Sequence, residues 1–483
     1  MSLSNQLKNH HLMWRAGFGP SVEQLGDLDR TNPAQLYKAL LKGSLKKPIN
    51  IDVADDYLKG LFMGFEEVGR QQKKELTPEQ KKMVQQKQRE GVRSLNLAWL
   101  REFVVTDAQL REKFAFFWHG HFACRNLNVF YQQGLLDVIR RNALGNFRDL
   151  LMEVSKSAAM LNFLNNQQNR KDHPNENFAR EVMELFTLGR GNYEEQDVKE
   201  AARAFTGWGS NVQGEFMFRK FQHDTGNKTV LGSTGNFSGE DVLDILLAQK
   251  QTARHIVQKA YRFFVNEIVD TEKTDWLAER FYHSGYDISK LAEDIFTSDW
   301  FFEEKNIGVK IKSPVELLAG IQRMLPLRIE NEESLIFLQK ALGQILFYPP
   351  NVAGWPGGKT WIDSSTLMLR MRIPQLLNEA DELNVRAKED DDQTMGRNEG
   401  DQMMQRMAKR AGIRAVIDWQ LYVKHYEKTG KDNLLASIVR QLLLADSRIS
   451  GELITQFSNT NSRDNFIKSV TLQLMSTPEY QLC

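Results

Sequence analysis

The stretch NENFAREVMELFTLG, Asn175 to Gly189, carries more chemistry than a solvated helix needs. At ~100° per residue, Phe178, Val182, Leu185 and Phe186 share one arc. Glu176, Asn177, Arg180, Glu181, Glu184 and Thr187 share the opposite one. The first is a core face. The second mixes one arginine with three carboxylates, an asparagine and a threonine, whereas a solvated face is usually rich in Lys and Glu. Arg180 stands four residues from Glu176 and four from Glu184 and can bridge both, which leaves Glu181 without a cation on its own row. Burial raises the pKa of such a carboxyl, which suits a general acid or base. On this reading Glu181, Arg180 and Glu184 are catalytic, and Asn177, four residues before Glu181, contacts substrate. The alternative is a structural ion-pair network, since such networks form without catalysis.

Three histidines supply the ligand types for a divalent metal. WHGHFA places His119 and His121 two residues apart among aromatics. On a continuous helix they face apart, but a break at Gly120 would let them chelate one ion. His223 heads HDTGNK, expected at a hairpin tip beside Asp224, and completes the set if the segments converge. The competing roles are hydrogen-bonded core histidines and, for Asp224, an Asx-type turn. PPNVAGWPGGKTW is a stiff loop in which Asn351, Trp355 and Trp361 are candidates for substrate contact, the indoles by stacking on apolar or sugar rings. It serves equally as a plug over the core. In KSPVELL, Pro314 near a helix start places Glu316 in the first turn, where the helix dipole favours a carboxylate.

The elements that must position these groups are helical. KFAFFWHGHFAC, GLLDVIRRNALGNFRDLLMEV, DVLDILLAQKQTARHIVQKAYRFFVN and NLLASIVRQLLLADSR repeat apolar residues at three- and four-residue steps. One run, EFMFRKFQHDTGNKTVLG, alternates like a strand and holds turn residues. The expected fold is mainly α, a large multi-helix body with one small inserted β-hairpin near 215–232. The expected divisions are an N-terminal helical segment over 1–68 and a polar connecting helix or linker over 69–95. A main body follows over 96–387, then a mobile polar loop over 388–410 and C-terminal helices over 411–483.

Composition narrows the function classes. The 483 residues are 41% apolar and 26% charged, which is ordinary for a globular chain and excludes wholesale disorder. A net charge of +1 gives no electrostatic reason to expect nucleic acid or an anionic membrane as partner. MSLSNQLKNHHLMWRAGFG lacks the apolar run of a secretory signal, and no later run is long enough to span a bilayer, so a cytoplasmic location is expected. Two cysteines, Cys124 and Cys483, exclude a disulfide framework. Neither a P-loop, a dinucleotide-binding glycine motif nor a G-x-S-x-G elbow is present.

HLMWRAGFGPS, FWHGHFA, NENFAREVMELFTLGRGNYEEQDVKEAARAFTGW, HDTGNKTVLG, KSPVELLAG and PPNVAGWPGGKTW occur here in one order. In this the chain resembles the bacterial "domain of unknown function 1800" family from about His11 to STPEYQ. The resemblance implies a mostly helical bacterial protein, often encoded beside a sulfatase-like partner, with no established activity; many relatives carry export signals, and the start of this chain departs from that. Two functions are expected from the residues. One is acid/base or metal-assisted hydrolysis or elimination on a polar or glycosidic substrate. The other is a non-catalytic helical scaffold for the sulfatase-like partner.

Overall fold

The computed structural model describes residues 3–60, 77–211, 213–379, 413–445 and 448–483. The loop expected over 388–410 lies outside the described residues, as do positions 69–76 of the connection expected over 69–95. The protein is mainly α-helical, with three two-stranded antiparallel sheets among the described residues. One contiguous hydrophobic core draws on the chain from Leu12 to Tyr480.

At its centre lies the Gln109–His121 helix, in which every residue except Gly120 is buried. A helix buried all round must answer each of its charges internally. Glu112 accepts hydrogen bonds from Arg140 at 2.9 Å, Arg111 at 3.0 Å and the Trp99 indole at 2.9 Å. Lys113 donates to the Trp14 carbonyl at 3.1 Å and pairs with Glu316. The Pro33–Ser44, Pro78–Val105 and Val129–Asn142 helices pack around it.

Local chemistry sets where the neighbouring helices begin. Thr77 caps Pro78–Val105 through a reciprocal box with Gln80, and proline occupies the first turn, where its missing N–H costs nothing. Ser313 and Glu316 form the same box ahead of Pro314–Met324. Glu316 therefore has a local role as a cap and a long-range one as the partner of Lys113.

The inserted β structure overlaps the run expected near 215–232 but consists of two successive hairpins in place of one, the first beginning at Trp208 and the second ending at Gly235. Trp208–Ser210 pairs with Phe216–Phe218, and Lys228–Val230 pairs with Ser233–Gly235. Gly214 at φ +92° turns the first, and Leu231 and Gly232 at +48° and +81° turn the second. Phe216–Phe218 pairs backward in sequence, so His223 and Asp224 lie on the connection between hairpins and not at a tip. The third sheet joins Leu327–Ile329 to Ala415–Ile417. No helix among the described residues is long and apolar enough to cross a membrane.

Candidate functional site

The quoted stretch is not one α-helix. Asn177–Glu181 is α-helical and continues as a π-helix over Val182–Thr187, closed by the Leu188 N–H on the Met183 carbonyl at 2.9 Å. The Thr187 hydroxyl donates to the Val182 carbonyl at 2.7 Å. A π-turn widens the backbone spiral and frees carbonyls from the α pattern. Those of Leu185 and Phe186 meet three nitrogens: His255 Nε2 at 3.3 Å, Lys259 Nζ at 3.4 Å and His121 Nε2 at 3.3 Å. Burial holds the His121 imidazole well below its ordinary pKa, so it is neutral. The Phe186 carbonyl can only accept, which puts the His121 proton on Nε2 and leaves a bare Nδ1, buried without a partner among the described residues.

Beside these carbonyls opens a cavity of about 460 Å³. That is within the ~300–1,000 Å³ typical of small-molecule sites. Phe116, Phe117, Phe263, Trp355 and Trp361 supply its apolar walls. Between them stand Lys259, Arg262, Lys310 and Lys359, with Glu267 and Glu316 as the carboxylates. Gln344 also lines it, its Oε1 already accepting from the Val315 N–H at 3.1 Å. The Trp355 loop docks onto the end of the central helix at a glycine contact. Gly354 sits at φ +83°, and a Cβ there would lie 2.6 Å from the Gly120 carbonyl oxygen. On the approach to the loop, Phe347 takes a left-handed φ of +68°, rare for a non-glycine residue, with its N–H bonded to His119 Nε2 at 3.2 Å.

Beneath the cavity the buried carboxylate of Glu316 faces a group of cations, on three of which Cys483 also acts. Glu316 pairs with Lys113 and accepts from the Ser313 N–H at 2.7 Å, while Lys310, Lys312, Arg15 and Arg370 feel its charge. Desolvation raises its pKa, but the neighbouring ammoniums more than reverse this and hold it well below the ordinary carboxylate range. Lys312 lies between the Trp14 and Tyr480 rings, 3.8 and 3.9 Å from their centroids, and burial pushes it down to about 7. Lys259 is pushed down to about 8 by burial alone.

A family described as "Protein of unknown function (DUF1800)" matches residues 11–482. The chain belongs to the DUF1800 family. Among curated proteins and solved structures, none matches significantly. The family description assigns no chemistry.

The structure of this DUF1800 protein brings some of the sequence-derived candidates together and separates others. His121, Trp355 and Trp361 line the cavity. His119 lies just behind it, its ring centroid 5.5 Å from that of Trp355, and burial lowers its pKa to about 3. Asn351 is exposed and closes an Asx turn on the Ala353 N–H at 2.9 Å. Asn177 donates to the Leu164 carbonyl at 3.1 Å. His223 approaches the Thr206 carbonyl at 3.0 Å, and Asp224 is held by Arg203 at 2.7 Å. His119, His121 and His223 thus meet three separate partners. Among the described residues no group of three or more His, Cys, Asp or Glu side chains is placed to hold a metal ion.

Arg180, Glu181 and Glu184 do not line the cavity. Arg180 bonds Glu176 at 3.1 Å, as the spacing suggests, but its second partner is Glu195 at 2.7 Å and not Glu184. The π-turn carries Glu184 off the four-residue row, and its carboxylate accepts instead from the Tyr193 hydroxyl at 2.6 Å. Glu181 is half-buried with its pKa raised, chiefly by desolvation and then by Glu184. Lys113, Lys259, Arg262, Glu267, Lys310 and Gln344 escape the motif reading. Charge set inside aromatic runs is the available signal for several of them, as in LREKFAFF, VKIKSP and YRFFVNE.

Proposed function

We propose that this DUF1800 protein is an enzyme performing acid/base chemistry, a hydrolysis or an elimination, on a polar or glycosidic substrate held in the cavity. One observation carries the reading. Glu267 lines an aromatic-walled cavity with its Oε1 buried and without a hydrogen-bond partner, and no ion pair ties it down among the described residues. A carboxyl left free in such a place is available to exchange a proton with bound substrate. Trp355 and Trp361 offer ring faces for stacking, and Lys259, with its ammonium pushed down to about 8, is a second group able to take or give a proton near neutral pH. Glu181 remains a second candidate carboxyl, because its raised pKa is the property a general acid needs.

The scaffold reading draws on a different observation. Arg180 and Glu184 are bonded to Glu195 and Tyr193 on the returning segment, which suits a network that fixes the fold for a partner such as a sulfatase-like protein. Parallel Glu267→Gln and Glu181→Gln variants separate the readings, since each keeps size and removes a titratable proton. Both should melt near the wild-type temperature. On a glycoside and polysaccharide panel assayed for released reducing ends or new double bonds, Glu267→Gln is expected to lose turnover while Glu181→Gln retains it. The opposite result moves the acid/base role to Glu181. No turnover by the wild type on the panel favours the scaffold.

A further inference from the structure

We infer that the cavity selects substrates bearing an oxyanion, with Lys310 as the residue that seats it: a sugar-sized ring carrying a carboxylate, sulfate or phosphate ester. The inference rests on the proposed reading of the cavity as a substrate site and adds the substrate's charge. It starts from how this protein treats buried cations. Lys113 has Glu316, Arg140 has Glu112, Arg323 has the Gly19 and Val104 carbonyls, and Lys312 has the Tyr480 carbonyl at 2.5 Å. Lys310 is the exception. It is only 8% exposed and feels Glu316 and Cys483 at longer range, yet among the described residues its ammonium has no hydrogen bond and no carboxylate within 4.0 Å. The Phe263 ring lies 4.4 Å from its Nζ, measured to the centroid, and both residues line the cavity.

Desolvating an ammonium without a partner is costly, so an unanswered one facing a cavity marks the place of a missing anion. The rest of the cavity agrees. Arg262 and Lys359 at its exposed rim and Lys259 in its wall form no ion pair among the described residues, and of the two carboxylates Glu316 is already taken by Lys113. Lys310 is also fixed in place. Its N–H and carbonyl both bond the main chain of Cys483, at 3.1 and 2.7 Å, and the next residue bridges Leu482, so the ammonium is presented from a backbone segment tied on both sides. The aromatic walls call for a ring beside the anion, which makes an acidic sugar a better fit than a free ion.

Calorimetric titration of the full chain at low ionic strength tests this with four probes: glucuronate, glucose 6-sulfate, glucose 6-phosphate and neutral glucose. At least one acidic sugar should bind at one site, tenfold or more tighter than glucose, and weaken as salt is raised. Lys310→Met keeps the side-chain length and removes a buried charge that has no contact partner among the described residues, so it should melt close to the wild type while losing about tenfold or more of that affinity. Arg262→Met, at the exposed rim, is expected to weaken binding less, and Lys428→Met, an exposed site elsewhere, not at all. Equal binding of glucose and all three acidic sugars, no binding by any, or unchanged affinity in Lys310→Met overturns the inference. If Lys310→Met does not fold, the comparison of charged with neutral sugars on the wild type decides alone. Acidic-sugar binding without Glu267-dependent turnover would sink the enzymatic reading and leave this one. Turnover with no preference for acidic over neutral substrates would do the reverse.

Discussion

Glu316→Gln removes the carboxylate that pairs with Lys113 and whose charge Lys310, Lys312, Arg15 and Arg370 also feel, Cys483 acting beside it on Lys310, Lys312 and Arg15. Glu316 is 1% exposed, and its pair with Lys113 is buried on both sides. Breaking such a pair from one side costs about 3–5 kcal/mol, because the abandoned ammonium stays buried. Glutamine retains an oxygen for the Ser313 N–H, so the cap, worth ~1 kcal/mol, is mostly kept. The expected loss is therefore near the lower end, about 3 kcal/mol, read as a drop in the guanidinium unfolding midpoint at constant slope. Adding Lys113→Met removes the stranded charge and should recover most of the loss, a strong departure from additivity. The pH dependence has a definite sign. Because the folded pKa of Glu316 lies below its ordinary value of 4.5, its stabilisation is fully present above about pH 4.5 and is lost as pH falls toward the folded value. Glu316→Gln should show a flatter acid limb. A single variant within about 1 kcal/mol of wild type, or a double variant equal to the sum of the singles, refutes the reasoning.

Gly354→Ala places a methyl against the Gly120 carbonyl at a left-handed φ, and should cost more than ~1 kcal/mol while shifting the tryptophan emission as Trp355 leaves its seat. An unchanged melt and spectrum would show that the loop is not held by this contact. For Lys312 the folded pKa of about 7 lies below the ordinary 10.5, so the unfolded chain binds the extra proton between them and stability should rise with pH from about 7 toward 10. Lys312→Met should flatten that limb in a melting series, and an identical slope in the variant would remove Lys312 as its cause.

The helical architecture was legible because it rests on long repeats of apolar residues at three- and four-residue steps, which the core in fact uses, from Leu12 to Tyr480. The helix start at Pro314, with Glu316 in its first turn, was readable for a local reason, and the structure adds the Ser313–Glu316 box. The π-turn at Val182–Thr187 was not. Its residues also satisfy an α-helical wheel, and the carbonyls it frees meet His121, His255 and Lys259, which lie far away in sequence. The partner of Arg180 was misassigned to Glu184 for that reason, since a four-residue row holds only while the spiral stays α. Asp224 shows the opposite case. Its turn role is local and was visible in the motif, while its ion pair with Arg203 needs the folded chain.

What a motif reading weighs least is a charge inside an apolar run, and here such charges converge. Lys113 lies in LREKFAFF, Arg262 and Glu267 flank FFVN, and Lys310 and Lys312 alternate with Val309 and Ile311. Each alone reads as an edge residue of an amphipathic element. Burial changes their meaning, because a charge removed from water must find a partner or keep access to one. Lys113 found Glu316 and Lys312 found the Tyr480 carbonyl, whereas Lys310 and Glu267 line the cavity with no hydrogen bond or ion pair among the described residues. A core that answers most of its buried charges and leaves two of opposite sign open on one aromatic-walled space has put its unsatisfied chemistry where a ligand can reach it. The His119–Gly120–His121 motif fits this arrangement without a metal. His119 secures the backbone that leads into the Trp355 loop, Gly120 seats Gly354, and His121 binds a carbonyl freed by the π-turn. Its three residues join the aromatic loop and the π-turn to the central helix, and the cavity lies where these elements meet.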